Sequence, residues 1–235
     1  MPSKFKEVTH VIFDMDGLLL NTEVLYTVAT QNILDMYFQN PRKIYTWDVK
    51  IGLMGLQTEQ VSRKIVDIYD IPITWEEYAA LAREQIELLM KNCEKCAGAE
   101  RLVKHLYDNN VPICLATSSS KESFDVKTIH HKELFKMFQH ITMGSSDPEV
   151  AHGKPAPDIF LVAASRFPDK PKPENCLVFE DAPNGVTAAL AAGMQVVMVP
   201  DVHVPDSQRQ AATQVLTTLL DFKPEDFNLP AFNES

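Results

Sequence analysis

Val8-Thr9-His10-Val11-Ile12-Phe13-Asp14-Met15-Asp16-Gly17 is a β-branched and aromatic run that ends on an acidic turn. A continuous apolar run of this length predicts a strand buried on both faces. Four further runs repeat the design. Residues 111–116 end on Thr117-Ser118-Ser119-Ser120, residues 141–143 on Gly144, residues 176–179 on Glu180-Asp181, and residues 195–199 on Pro200-Asp201. Helical patterns separate them at 99–107, at 157–167 with Pro157 and Asp158 in the first turn, and at 186–192 closing on Gly193. Strands alternating with helices predict an α/β fold with a parallel sheet covered on both faces.

Residues 23–91 break the rhythm. They carry amphipathic helical stretches at 57–69 and 74–90 and no strand pattern, and Thr74-Trp75-Glu76-Glu77 has capping-box spacing. A small all-helical module is therefore expected straight after the first strand, with residues 1–22 and 92–235 forming the core. Met36, Tyr37, Phe38 and Trp47 are read as packing within that module. Beyond Pro224 the chain is expected to trail along the surface.

The chain has 235 residues, 45% hydrophobic and 23% charged, enough for a substantial core. Its 22 basic against 32 acidic residues give a net charge of −10, which argues against binding a nucleic-acid polymer. No apolar run is long enough to span a bilayer, and no signal-peptide pattern opens the sequence, so a cytoplasmic, monomeric protein without a membrane partner is expected. Cys93-Glu94-Lys95-Cys96 is a CxxC without a second pair or histidines and is read as a reduced surface pair. His130, His131 and His203 are expected to be exposed, and His152 structural.

Polar residues collect at the carboxyl ends of the expected strands, where open α/β sheets place their ligands. Asp14 and Asp16 follow the first strand, Thr117 and Ser118 the second, Glu180 and Asp181 the fourth. Lys154 lies after the third, in His152-Gly153-Lys154-Pro155. Such a set suits phosphoryl transfer from a small phosphorylated metabolite. Asp14 can attack phosphorus as a nucleophile, and Asp16 can move protons as general acid and base. Asp14 and Asp181 can hold Mg²⁺, a hard cation that prefers oxygen. Backbone N–H groups around Met15-Asp16-Gly17 can face phosphate oxygens, while Lys154, Thr117 and Ser118 add charge and donors. A calcium loop is excluded, because Leu18-Leu19-Leu20 stand where its ligands belong.

Val11-Ile12-Phe13-Asp14-Met15-Asp16-Gly17-Leu18-Leu19, Leu115-Ala116-Thr117-Ser118, Gly153-Lys154-Pro155-Ala156-Pro157-Asp158 and Val178-Phe179-Glu180-Asp181-Ala182-Pro183-Asn184-Gly185 resemble the four motifs of the haloacid dehalogenase-like hydrolase superfamily. Within it, the stretches 10–20, 179–186 and 188–201 are similar to the eukaryotic pseudouridine-5′-phosphatase group. The resemblance implies a Rossmann-like core with a helical cap. It also implies Asp14 as nucleophile and metal ligand, and Asp16 as acid/base with its backbone carbonyl on the metal. Asp181 completes the ligands, Glu180 stands behind them, and Thr117 and Lys154 bind phosphate. Pseudouridine 5′-phosphate is the substrate implied. Glycerol 3-phosphate or sugar phosphate hydrolysis, a β-phosphoglucomutase-like transfer, and a catalytically silent scaffold are the alternatives. Two positions depart from the pattern: Asn21 stands where Asp is usual and is expected to cap a helix equally well, and Ala97 replaces a common proline. The cap loop Gly52-Leu53-Met54-Gly55 is apolar.

Overall fold

The computed structural model describes residues 3–53 and 56–232. Strands β1 (His10–Phe13), β2 (Ile113–Thr117), β3 (Ile141–Met143), β4 (Cys176–Glu180), β5 (Gln195–Met198) and β6 (Gln214–Val215) form one sheet in the order β3-β2-β1-β4-β5-β6. Every pairing is parallel. The five expected strands are present. β6 has only two residues, too few to carry an alternation.

β1 is flanked by β2 and β4, so all four of its residues are buried, His10 included. The chain winds outward from β1 to β3, then returns to β4 and winds the other way. This reversal opens a crevice at the carboxyl ends of β1 and β4. Side chains alternate across the sheet. Val11 and Phe13 join one core cluster and Ile12 the other.

Helices α1 (Glu23–Tyr37), α2 (Trp47–Ile51), α3 (Thr58–Tyr69) and α4 (Trp75–Met90) lie between β1 and α5 (Ala99–Asp108), which leads into β2. They share a separate core that includes Ile33, Leu34, Leu53, Ile65, Tyr69 and Tyr78. The capping box of α4 forms as expected: Thr74 N donates to Glu77 Oε2 at 2.8 Å, and Glu77 N to Thr74 Oγ1 at 3.2 Å. Met36 and Tyr37 do not pack inside. Both are exposed at the end of α1, and only Phe38 of that run lies against the helical core. Trp47 stacks instead on His203 of the sheet domain, with ring centroids 4.3 Å apart. Of the apolar loop 52–55, Met54 and Gly55 lie outside the described residues.

The remaining helices are α6 (Lys121–Lys127), α7 (Lys132–Phe135), α8 (Asp158–Ser165) and α9 (Pro183–Ala191). Residues of α8 and α9 cover the Ile12 face. The other face is covered by α5, by Phe124, Leu134 and Phe135 of α6 and α7, and by the end of the chain, which overturns the expected surface tail. Phe227 is fully buried and stacks on Phe5 at 4.6 Å. Phe5 N donates to Asp226 O and Val8 N to Phe227 O, at 2.9 and 3.1 Å. The physical reason is apolar area: Phe222, Phe227 and Leu229 remove theirs from water by joining the same core cluster.

Candidate active site

The crevice brings together the acids that terminate separate strands. Asp14 follows β1, its backbone N–H bonded to Phe179 O of β4 at 3.0 Å. Glu180 is the last residue of β4 and Asp181 the next. Lys154 reaches in from the loop between β3 and α8. Its Nζ lies 2.5 Å from Asp14 Oδ1, 2.6 Å from Glu180 Oε1 and 3.3 Å from Ala116 O. All three charged side chains are at least nine-tenths buried. Burial alone would lower the lysine, but Asp14 and Glu180 outweigh it and hold the ammonium above its ordinary range.

Asp14, Glu180 and Asp181 each offer a carboxylate oxygen, all within 4.8 Å of one another. Buried like charges so close call for a cation. Burial lifts the Asp181 carboxyl well above its ordinary value, and the neighbouring Glu180, Glu23 and Asp14 charges lift it further. Lys154 spends its ammonium on Asp14 and Glu180. A site of hard oxygens with unbalanced negative charge fits a divalent cation. Within the trio Glu180 is already engaged. Its Oε1 accepts from Lys154, and its Oε2 accepts from the Asp181 and Ala182 amides at 3.1 and 3.2 Å. Asp14 and Asp181 are therefore the carboxylates better able to ligate, with Glu180 holding the turn that carries Asp181.

Gly17 makes this approach possible. Its φ is +80°, and a Cβ there would fall 2.1 Å from Asp181 Oδ2. Its backbone N–H donates to Leu20 O at 2.8 Å. Gly17 therefore contributes space rather than the phosphate-facing donor expected of it. Met15 is fully buried, and its carbonyl accepts from the Leu19 and Leu20 amides.

Asp16 points into a second network. Thr22 Oγ1 donates to its Oδ1 at 2.8 Å and Ser119 Oγ to its Oδ2 at 2.8 Å. Lys127 Nζ sits 2.7 Å from Oδ1. Burial would raise the Asp16 carboxyl, but Lys127 and these donors together hold it below its ordinary range. Thr22, Ser119 and Lys127 join the site beyond the residues expected there. Lys127 shares the buried side of α6 with Phe124, three residues earlier, and that spacing was the available signal.

The family model for haloacid dehalogenase-like hydrolases matches residues 11–199. The chain belongs to this family. It is an enzyme of the hydrolase class, related along almost its whole length to phosphatases. It is 57% identical over 229 residues to a Drosophila melanogaster protein named "Probable pseudouridine-5′-phosphatase", covering 97% of each chain. It is 45% identical over 231 residues to "(DL)-glycerol-3-phosphatase 2" of Arabidopsis thaliana, covering 97% of this chain and 94% of that one. A crystal structure of β-phosphoglucomutase from Clostridium difficile shares the fold, with a TM-score of 0.72, 22% identity, and coverage of 94% and 97%.

In this hydrolase the site floors a cavity of about 620 Å³ between the sheet and the helical layer. Glu23, Tyr26, Tyr45, Lys50, Trp75 and Tyr78 are among its upper walls. Gln57 ties the two parts together, its Nε2 donating to Gly144 O at 3.0 Å. Ser118 lines the cavity, and Thr117 is buried beneath it, its Oγ1 accepting from Ser119 N at 3.1 Å.

Other expectations need correction. The N-cap of α1 is Thr22 rather than Asn21, and its hydroxyl goes to Asp16 instead of the helix. The cysteine pair is not on the surface. Cys93 is buried with its thiol toward Lys127 O at 3.3 Å, and Cys96 is half-buried against Gly17 O at 3.6 Å. His130 and His203 are exposed as expected, but His131 is half-buried and bonded to Cys93 O at 2.7 Å. His152 pairs with Asp158 at the surface. Among the described residues, no helix is long and apolar enough to cross a membrane.

Proposed function

We propose that this hydrolase is a Mg²⁺-dependent phosphomonoesterase that forms an aspartyl phosphate on Asp14, with pseudouridine 5′-phosphate as its substrate. The observation that carries the reading is Asp14 itself: a buried carboxylate between Lys154 and two further acids, at the floor of a cavity large enough for a nucleotide. The substrate follows the name of the 57% identical relative.

A Mg²⁺ held by Asp14, Asp181 and the Asp16 backbone carbonyl would neutralise charge on the transferring phosphoryl group. The chain's own residues do the rest. Lys154, the Thr117 hydroxyl, Ser118 and the backbone at Met15 receive the phosphate, and Gly17 serves by leaving room for Asp181 beside it. An Asp14 oxygen bonds to phosphorus as the ester oxygen leaves, and Asp16 gives that oxygen its proton. Asp16, now ionised, takes a proton from water; the water oxygen bonds to phosphorus and the Asp14–phosphorus bond breaks. Lys127 favours the ionised form of Asp16, the form that the second step uses. A bound phosphate dianion adds negative charge beside Asp16 and favours the protonated form needed first.

The helices from residue 23 to 91 act as the cap, choosing the substrate, and residues 1–22 and 92–235 as the catalytic core. The enzyme works as a cytoplasmic monomer on a small metabolite. A phosphate-release screen with Mg²⁺ across nucleoside, sugar and polyol monophosphates tests this. A preference of about 100-fold for pseudouridine 5′-phosphate corresponds to about 2.7 kcal/mol of transition-state discrimination. The 45% identity to a glycerol-3-phosphatase favours glycerol 3-phosphate as the second reading, and a screen led by that compound would establish it. Sugar isomerisation without phosphate release would point to a mutase.

A further inference from the structure

Lys127 is a buried charge whose geometry around Asp16 goes beyond its effect on that acid's ionisation. Its side chain is fully enclosed, yet it belongs to an otherwise ordinary short helix. Its ammonium meets Asp16 Oδ1 at 2.7 Å, Ser119 Oγ at 2.8 Å, and the Tyr26 hydroxyl. An ammonium has three N–H donors, so these acceptors match its capacity and Lys127 is no phosphate ligand. Ser119 Oγ in turn donates to the other oxygen of the same carboxylate, at 2.8 Å. Lys127, Asp16 and Ser119 thus close a ring that resists rotation of the carboxylate. Thr22 holds it from a further side.

The Asp16 side chain is 18% exposed, at the cavity wall, so water reaches it. A counter-ion is not required merely to keep the acid charged. Direction is what the ring adds. Building on the phosphatase reading, we propose that Lys127 is a positioning residue, aiming the Asp16 carboxylate at the leaving oxygen and then at the attacking water.

The test uses the full chain as wild type, Lys127→Met, Ser119→Ala, Asp16→Asn and Asp14→Asn. It compares an alkyl phosphate with p-nitrophenyl phosphate, and beryllofluoride binding with Mg²⁺ reports whether the Asp14 site is intact. Lys127→Met should bind beryllofluoride like wild type. Its kcat on the alkyl phosphate should fall about 100-fold with little change in KM, the scale of lost or misplaced proton transfer. With p-nitrophenyl phosphate, whose leaving group needs no proton, the same variant should release a fast burst of nitrophenolate and then turn over slowly. General damage to the site would slow the burst as well, and that result overturns the proposal. So would a wild-type kcat in Lys127→Met alongside a disabled Asp16→Asn. Should Lys127→Met fail to fold, Ser119→Ala keeps the charge and opens the ring. It should show the burst and a kcat about tenfold lower, and an unchanged kcat would overturn the idea. Retained turnover in Asp14→Asn would instead sink the phosphatase reading itself.

Discussion

The Lys154 ammonium lies 2.5 Å from the Asp14 carboxylate, and both are buried at the end of the central strand. This pair joins the first and third motifs of the chain across 140 residues. It keeps a cation beside the carboxylate proposed as the nucleophile, and it ties Asp14 to Glu180 through the same nitrogen.

Removing that nitrogen should cost stability as well as activity. Lys154→Met leaves two buried carboxylates without their shared cation, a loss of about 3–5 kcal/mol in comparable buried pairs. Urea unfolding without metal should show it. Mg²⁺ should return part of the loss, because a ligand that binds only the folded state stabilises it. Unchanged unfolding would mean that the acids are not ionised together.

Metal-free stability should depend on pH through Asp14. Burial raises its carboxyl from 3.8 to about 7, against the opposing pull of Lys154. The folded state then binds this proton more tightly than the unfolded chain, so its contribution is whole below about 3.8 and lost as pH rises through about 7. Asp181 shifts in the same sense and Asp16 in the opposite one. Subtracting the profile of Asp14→Asn isolates the Asp14 part. The wild type should lose melting temperature across that window relative to the variant, and Mg²⁺, which favours the ionised form, should flatten the difference. A gain with rising pH would contradict this.

Gly17→Ala should disable the site through Asp181. The new Cβ falls 2.1 Å from Asp181 Oδ2 at a φ of +80°. The backbone strain is about 1–2 kcal/mol, and Asp181 must move. A displacement near 1 Å can cost about 100-fold in rate, and higher Mg²⁺ should be needed for half-maximal turnover. Wild-type metal dependence would show that Asp181 is not a ligand.

The sheet and the acids were legible because burial on both faces forces continuous apolar runs, and because the turns after those runs must carry whatever faces the crevice. Asp14, Lys154, Glu180 and Asp181 meet as that logic predicts. Lys127 was not legible in the same way. A lysine in a polar helix usually points to water, and only the tertiary placement of α6 turns this one toward Asp16. Phe227 escaped for a related reason: its partner Phe5 is at the other end of the chain, and no local pattern reports such a contact. Asn21 misled because helix-cap propensity said nothing of Thr22 being used by Asp16.

The covalent step can be observed directly. Enzyme mixed with substrate and Mg²⁺ is quenched in acid, reduced with borohydride and digested for mass spectrometry. Reduction of an aspartyl phosphate gives homoserine, and the account predicts homoserine at position 14 only, dependent on substrate and absent from Asp14→Asn. An unmodified Asp14 during turnover, together with phosphate release by Asp14→Asn, would contradict it.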